Sequence, residues 1–488
     1  MSKYLYGASM QGIQEFIFKT NRLKDIVGAS EMVEIISEDF SLKYEKNCDV
    51  IQKAAGNIKI LFNKKNDVED IVKNLPKEVM QYAYGITLSQ AVVEVKDDLT
   101  KDDLDTLEEK LKSARNKPTL PLDSHINIIK LSPTTGRATY RQDTSKKEFI
   151  DYATAKKRDT QPHRLEKKLR EDEKKLFAKE LSEISNKKNK IAVIHADGNG
   201  LGKLLQNLAK KLEKNSQDIK EVFTKFSIAI DNATIKAAKE AYEKMGSPQD
   251  FRPIVLGGDD LSVICSADIA IDFTNYFLTL FEKYTEEELK ELVDDYNLDE
   301  FKNGLTACAG ITFSNEKYPF HYSIKLAEEL CTYAKTESKK INDTLAPSSL
   351  MFYNVQSSFF VSYRDFVKKE LEVNDKISFE FGPYYVDTEH GATIQALSTL
   401  AKCLSFEGSP KSRLREWLSE MHKDTNYAES LLKRINQVTE SKVKIATNNA
   451  LSKLDKKLNL SELFVEKEGK KISPIHDGVK LASILGEV

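Results

Sequence analysis

The 488 residues lack most of the features that announce a compartment or a metal cluster. No run of roughly 18 apolar residues occurs, so no membrane-spanning helix is expected. The opening stretch, MSKYLYGASMQGIQEFIF, carries no basic leader before a long apolar run, so no secretory signal is read there and a cytoplasmic location is expected. The five cysteines, Cys48, Cys265, Cys308, Cys331 and Cys403, are scattered without a Cys-x-x-Cys pair. That spacing speaks against a zinc ribbon or a disulfide framework and for buried, unreactive thiols. An excess of one charge is missing too: 74 Lys and Arg stand against 76 Asp and Glu, a formal net charge of −2. Global basicity therefore does not advertise nucleic-acid binding, and only a local groove could be positive. What is present, 40% hydrophobic and 31% charged residues, reads as a soluble globular chain of about three ordinary domains.

Self-similarity organises the rest. Tyr4-Leu-Tyr-Gly-Ala-Ser-Met-Gln-Gly-Ile-Gln14 lies over Ala192-Val-Ile-His-Ala-Asp-Gly-Asn-Gly-Leu-Gly202, with Ser9 on Asp197, Gln11 on Asn199 and Gly12 on Gly200. A second landmark follows in the same order: Ala55-Gly-Asn-Ile58 before one strand, Gly257-Gly-Asp-Asp260 before the other. This alignment sets Asn57 and Ile58 against Asp259 and Asp260. After each landmark the pattern predicts a helix, a strand (85–96; 305–313), another helix (100–115; 320–336) and a short strand (125–131; 348–354). Each half thus reads β-α-β-β-α-β with additions, the ferredoxin-like pattern of polymerase palms. The expected fold class is α+β: two ferredoxin-like palms, the first degenerate and the second catalytic, followed by a mainly helical C-terminal domain. The expected boundaries are 1–150 for the first palm and a connecting segment, 151–188 for a charged helical linker, 189–364 for the catalytic palm and 365–488 for the helical domain. Within the linker, the alternating charges of residues 156–175 read as a solvated helix rather than a nucleic-acid patch. Phe381-Gly-Pro-Tyr-Tyr385 reads as a turn into the helical domain.

Carboxylates stand in one copy only. Ile191-Ala-Val-Ile194 is a buried-strand run, and Asp197 falls just past its end, where side chains leave a sheet. Gly198, Gly200 and Gly202 permit close backbone approach, and the helix from Leu201 aims its free N–H groups at that turn, a cradle for phosphate oxygens to which Lys203 could add a cation. Residues 254–264 read as a hairpin with Gly257 and Gly258 at its tip. Adjacent Asp259 and Asp260 repel one another, and a divalent cation with hard oxygen preference relieves that repulsion. Magnesium fits best, with manganese as the alternative, because it takes few carboxylates and completes its shell from water and phosphate. Lys335, at the end of an apolar-striped helix, is either a cation satisfying the helix dipole or a phosphate contact.

These motifs, with Gly12-Ile-Gln-Glu-Phe-Ile17, Arg22-Leu-Lys-Asp-Ile-Val-Gly-Ala-Ser30 and Ser132-Pro-Thr-Thr-Gly-Arg-Ala138, resemble the large polymerase-cyclase subunit of type III CRISPR complexes, and more distantly GGDEF-type diguanylate cyclases. The likeness runs from residue 3 to about residue 480. It implies tandem palms with two ATP molecules facing each other across their interface, joined into a cyclic oligoadenylate messenger that activates an effector in antiviral defence. By matching, Asp197, Asp259 and Asp260 are the catalytic carboxylates, and Asp197, Gly198, Asp259 and Asp260 form the metal set. Gly198, Asn199, Gly200, Gly257, Gly258 and Lys335 would lie against the nucleotide. The resemblance further implies CRISPR RNA and other effector-complex subunits as partners, with no membrane. A structural subunit of such a complex, with catalysis secondary or absent, is the alternative reading. Three departures stand out. The chain opens directly in the first palm rather than in an HD nuclease domain, so DNA cleavage is not expected, and His476-Asp477 reads as structural. Ser132 stands where a zinc-binding cysteine would. Asn199 replaces the second acid of a DxD pattern.

Overall fold

The structure is a computed structural model, which describes residues 3–485 apart from 47, 55, 97, 118–127, 145–146, 162–163, 171–176, 216–218, 246, 248 and 357–361. The first half contains β1 (Lys3–Gln11), α1 (Ile13–Phe18), α2 (Leu23–Asp39), β2 (Cys48–Ala54), β3 (Asn57–Phe62), α3 (Lys65–Tyr82), β4 (Thr87–Val95) and α4 (Lys101–Arg115). Its helices follow from sequence: Val68, Ile71, Leu75 and Val79 make one buried stripe on α3. Helix α4 starts in a capping box between Thr100 and Asp103. A ribbon of β5 (Thr139–Asp143) and β6 (Glu148–Asp151) and three helices, α5 (Tyr152–Asp159), α6 (Arg164–Leu169) and α7 (Leu181–Ile184), lead to the second half.

There the order repeats: β7 (Lys190–Gly198), α8 (Leu201–Asn215), α9 (Ile219–Met245), β8 (Phe251–Gly257), β9 (Asp260–Ser266), α10 (Ala270–Asp295), β10 (Ala307–Asn315), α11 (Phe320–Lys339) and β11 (Ser349–Asn354). The remainder is α12 (Tyr363–Phe366), β12 (Glu372–Asn374), β13 (Ile377–Ser378), β14 (Tyr384–Tyr385), α13 (Ile394–Ser405), α14 (Lys411–Met421), α15 (Thr425–Val438), α16 (Ser441–Leu454), β15 (Val465–Lys467), β16 (Lys470–Ile472) and α17 (Ile475–Ile484).

Sheet order makes the duplication explicit. The first sheet runs β2-β3-β1-β4 and the second contains β8-β9-β7-β10, every one of these neighbours antiparallel. Both are the ferredoxin-like order. Gly12 before α1 and Gly200 before α8 share a left-handed φ, +73° and +81°, which a side chain would strain. Register corrects the alignment of the second landmark by one position. Ser9 pairs with Asn57 and Asp197 with Asp260, while Ala54 closes on Asn57 as Gly257 closes on Asp260. Asn57 therefore corresponds to Asp260 and Gly56 to Asp259. A glycine and an amide stand where the second half has two acids.

Three further expectations change. The residues read as a short strand at 125–131 lie partly outside the described residues, and Leu131 forms only an isolated bridge with Ala138. The charged linker is not a solvated helix throughout: Lys157 and Arg158 are buried, Arg158 donating to Asp25 and Asp143. The segment at 381–385 does more than turn. Tyr384–Tyr385 is β14, which pairs with β11 and extends the second sheet to β14-β11-β10-β7-β9-β8. The helical C-terminal region also carries a small sheet, β12-β13-β16-β15.

Strand β7 divides its two faces. Ala192, Ile194 and Ala196 join the core shared with α8, α9 and α10. Ile191 and Val193 instead join a core with Ile26, Ile36 and Phe62 of the first half and Phe320, Ile324 and Ala327 of α11. Each of these two cores draws residues from both halves.

Candidate active site

The carboxylates sit where β7 and the β8–β9 hairpin end side by side. Because Asp197 and Asp260 are paired across the strands, their side chains leave the sheet on the same face, and Asp259 is at the hairpin tip. One oxygen from each of Asp197, Asp259 and Asp260 lies within 4.8 Å of the others, the one such acidic, histidine or cysteine group among the described residues. Gly198 makes this possible: a Cβ there would stand 2.9 Å from the Asp259 Cβ.

Helix α11 covers that face. It lies so close to β10 that a Cβ on Gly310 would sit 1.9 Å from the Ala327 carbonyl oxygen, and it carries Lys335 to the site. The Lys335 ammonium pairs with Asp197 and donates to the Gly198 carbonyl at 2.8 Å. Burial, then the Asp197 charge, lifts the Asp259 carboxyl to about 6. Burial, then Asp259 and Asp197, lifts Asp260 to about 7. Once both have ionised, above about pH 7, three carboxylates against one ammonium leave two excess negative charges. That donor set, hard, clustered and short of positive charge, fits a divalent cation of the magnesium type. His195, one pleat back on the same face, is held as the neutral ring chiefly by burial, its Nδ1 3.0 Å from Ser262 Oγ.

Beside the acids opens a cleft of about 460 Å³, lined by residues 197–203, Asp259, Lys335, Lys339 and the 343–346 loop among others. The start of α8 forms one wall, with the unpaired N–H groups of a first helical turn. Every lining residue belongs to the second half.

The other expected site residues separate. Asn199 is 1% exposed and its amide donates to Thr306 Oγ1, Cys308 Sγ and the Ala346 carbonyl, so it anchors the turn beneath the cleft. Lys203 is engaged by Asp343. Gly257 and Gly258 are held by groups that no local motif marks. Asp231 of α9 accepts from the Gly258 N–H at 2.9 Å, and Thr234, one turn on, donates to the Gly258 carbonyl at 2.6 Å. Lys168 of α6 donates to the Leu256 carbonyl and to Glu34 of α2, both at 2.9 Å. His476 and Asp477 stay together, with Asp477 accepting from Tyr384 at 2.7 Å.

Residues 190–345 match the family model described as Cas10/Cmr2, second palm domain. Solved structures share the overall fold. A Csm1–Csm4 cassette in complex with one ATP has a TM-score of 0.58 at 14% identity, covering 99% of this chain and 70% of that one. A Csm1–Csm4 cassette in complex with cA4 has a TM-score of 0.55 at 14% identity, covering 99% and 69%. Csm1 in T. onnurineus has a TM-score of 0.53 at 15% identity, covering 99% and 70%. No curated protein is matched by the sequence. Among the described residues no helix is long and apolar enough to cross a membrane.

Proposed function

Taking residues 190–345 as a second palm domain of the Cas10/Cmr2 type, we propose that the chain is a magnesium-dependent nucleotidyltransferase that joins ATP, or another nucleoside triphosphate, into a cyclic oligonucleotide messenger of antiphage defence with release of pyrophosphate. The observation that carries this reading is the convergence of Asp197, Asp259 and Asp260 within 4.8 Å at the head of a cleft walled by a helix N-terminus. A bound divalent cation supplies charge neutralisation to the triphosphate and acidifies the attacking hydroxyl.

The chain's own groups do the rest. Asp197, Asp259 and Asp260 hold the cation, with the Gly198 carbonyl beside them. The N–H groups at the start of α8 and the ammonium of Lys339 face the phosphates. Lys335 balances Asp197 until substrate arrives and then lies within reach of the triphosphate. Gly257 and Gly258 let the hairpin backbone approach the nucleotide, while Asp231 and Thr234 hold that backbone rigid. Similar folds solved with ATP and with cA4 support a nucleotide substrate and a cyclic product.

The same relatives are cassettes with a Csm4 partner, which supports a second reading: catalysis inside an RNA-guided complex rather than alone. Purified chain incubated with each nucleoside triphosphate and Mg²⁺, with and without guide and target RNA, separates the two when products are weighed by mass spectrometry. Asp259→Ala with Asp260→Ala is expected to abolish pyrophosphate release while the circular dichroism spectrum is kept. Unchanged release from that double variant would overturn the site assignment.

A further inference from the structure

A second cleft lies at the opposite end of the catalytic sheet. It measures about 720 Å³ and is bounded by the start of β7, the end of β11 and the facing sides of α14 and α17. Lys190 opens β7 and Asp197 nearly closes it; seven residues of strand at ~3.3 Å each separate the two ends by roughly 23 Å. This cleft is therefore distinct from the acidic one.

Its charge is the reverse. Lys190, Lys369, Arg415 and Lys480 line it, with Glu370 as the only carboxylate among its lining residues, in a chain whose formal net charge is −2. None of the four cations forms an ion pair among the described residues. Lys190 reaches only Asn354 Oδ1 at 3.3 Å and the Val355 carbonyl at 3.4 Å, and Lys480 reaches the Gln356 amide oxygen at 2.6 Å. Burial holds both ammonium groups below their ordinary pKa. Burying these ammonium groups is costly, and although the Glu370 charge offsets part of that cost at Lys480, four cations against one carboxylate leave an excess of positive charge that an anion would relieve. Lys480 and His476 project from one side of α17, and Arg415 of α14 and His422 at its C-cap face them, so the groups converge from two helices and two strand ends. The exposed His422 ring, packed 5.9 Å from the buried Phe379 ring at a tilt of 56°, offers one aromatic face of the kind on which a base can rest.

We propose that this cleft is a second ligand site, one that takes a phosphate-bearing polyanion of nucleotide to short-oligonucleotide size. Its volume falls in the range of small-ligand pockets, its four cations outnumber its one carboxylate, and no carboxylate cluster offers a metal site there among the described residues. The inference stands apart from the catalytic reading, because no residue of the acidic cluster takes part.

The test uses the full chain carrying Asp259→Ala and Asp260→Ala, in EDTA, so that the acidic cleft holds no probe through a metal. A fluorescein-labelled adenosine trinucleotide is titrated by anisotropy across a salt series, with ATP as competitor. Adding Lys369→Glu and Arg415→Glu, both exposed positions outside any ion pair, is expected to weaken the trinucleotide at least tenfold. The same change should flatten the salt dependence by ~1.4 in log–log slope, two contacts at ~0.7 each. Competition by ATP assigns the site to polyphosphates in general, and its failure assigns the site to a phosphodiester chain; either upholds the proposal. Equal affinity and equal slope in the two proteins, or no trinucleotide binding at low salt, overturns it. Pyrophosphate release by the otherwise native chain is measured separately, so failure here and failure of the catalytic reading are distinguishable.

Discussion

At the scale of single residues, the acidic cluster stores repulsion that a cation relieves. Asp259 and Asp260 titrate in the folded chain near 6 and 7, above an unfolded aspartate near ~4. Their folded values are raised, so their contribution to stability is complete below about pH 4 and is lost as pH climbs through about 7. The metal-free protein should accordingly lose thermal stability between pH 5 and 8 through these groups, and Asp260→Asn should flatten that loss. Added Mg²⁺ should raise the melting temperature at pH 8 and do little at pH 5, where protons occupy the ligands. Differential scanning fluorimetry on the two proteins checks it, and a Mg²⁺ shift as large at pH 5 as at pH 8 would contradict it. Asp197, Asp259 and Asp260 were legible in sequence because strand-end glycine and acid leave a local pattern. Asn199 sits in the same motif and lines the cleft, but that its side chain turns down to Thr306 and Ala346 was not legible, because packing sets that direction. Lys335 reached Asp197 only through the tertiary placement of α11.

Among elements, the β8–β9 hairpin is braced from outside. Helix α9 holds its tip through Asp231 and Thr234, and the short helix α6 bridges it to the first half. In α6, Arg164 meets Glu38 and Asp39, Glu166 meets the buried Arg252 of β8 at 2.8 Å, and Lys168 meets both Glu34 and the Leu256 carbonyl. Thr234→Val removes one hydrogen bond, at a cost of about 1 kcal/mol in stability. It is expected to lower kcat by roughly 10-fold or more with little change in KM, because a hairpin displaced by a fraction of an ångström misplaces two ligands. An unaltered kcat in steady-state assays would show that the brace is merely structural. None of this was readable from spacing, since the partners lie on helices remote in sequence and a lysine in a charged segment looks solvated. The repeat was readable, because strand, glycine and helix recur in order. Its register was not, and one residue of slip moved the counterparts of Asp259 and Asp260 from Asn57 and Ile58 to Gly56 and Asn57.

Across the whole molecule, the two cores on either face of β7 each serve both halves. The Phe18 and Phe320 rings pack with centroids 5.4 Å apart and planes tilted by 46°, with Phe320 1% exposed and within the core that Ile26 and Phe62 also enter. Phe320→Ala should cost about 3–5 kcal/mol and lower the unfolding midpoint of both halves together in denaturant. Two separated transitions, with only the second half shifted, would show independent folding. The halves and the helical tail could be outlined from sequence, but the tail's strand could not, because two tyrosines after a proline carry no strand periodicity. That strand, β14, has a bearing on how the chain matures. Its partner β11 is complete by residue 354, but its hydrogen-bonding edge stays bare until residues 384 and 385 arrive. A nascent or proteolysed chain that stops between those points presents an open ladder to other copies of itself, so self-association should be the signature of premature termination there.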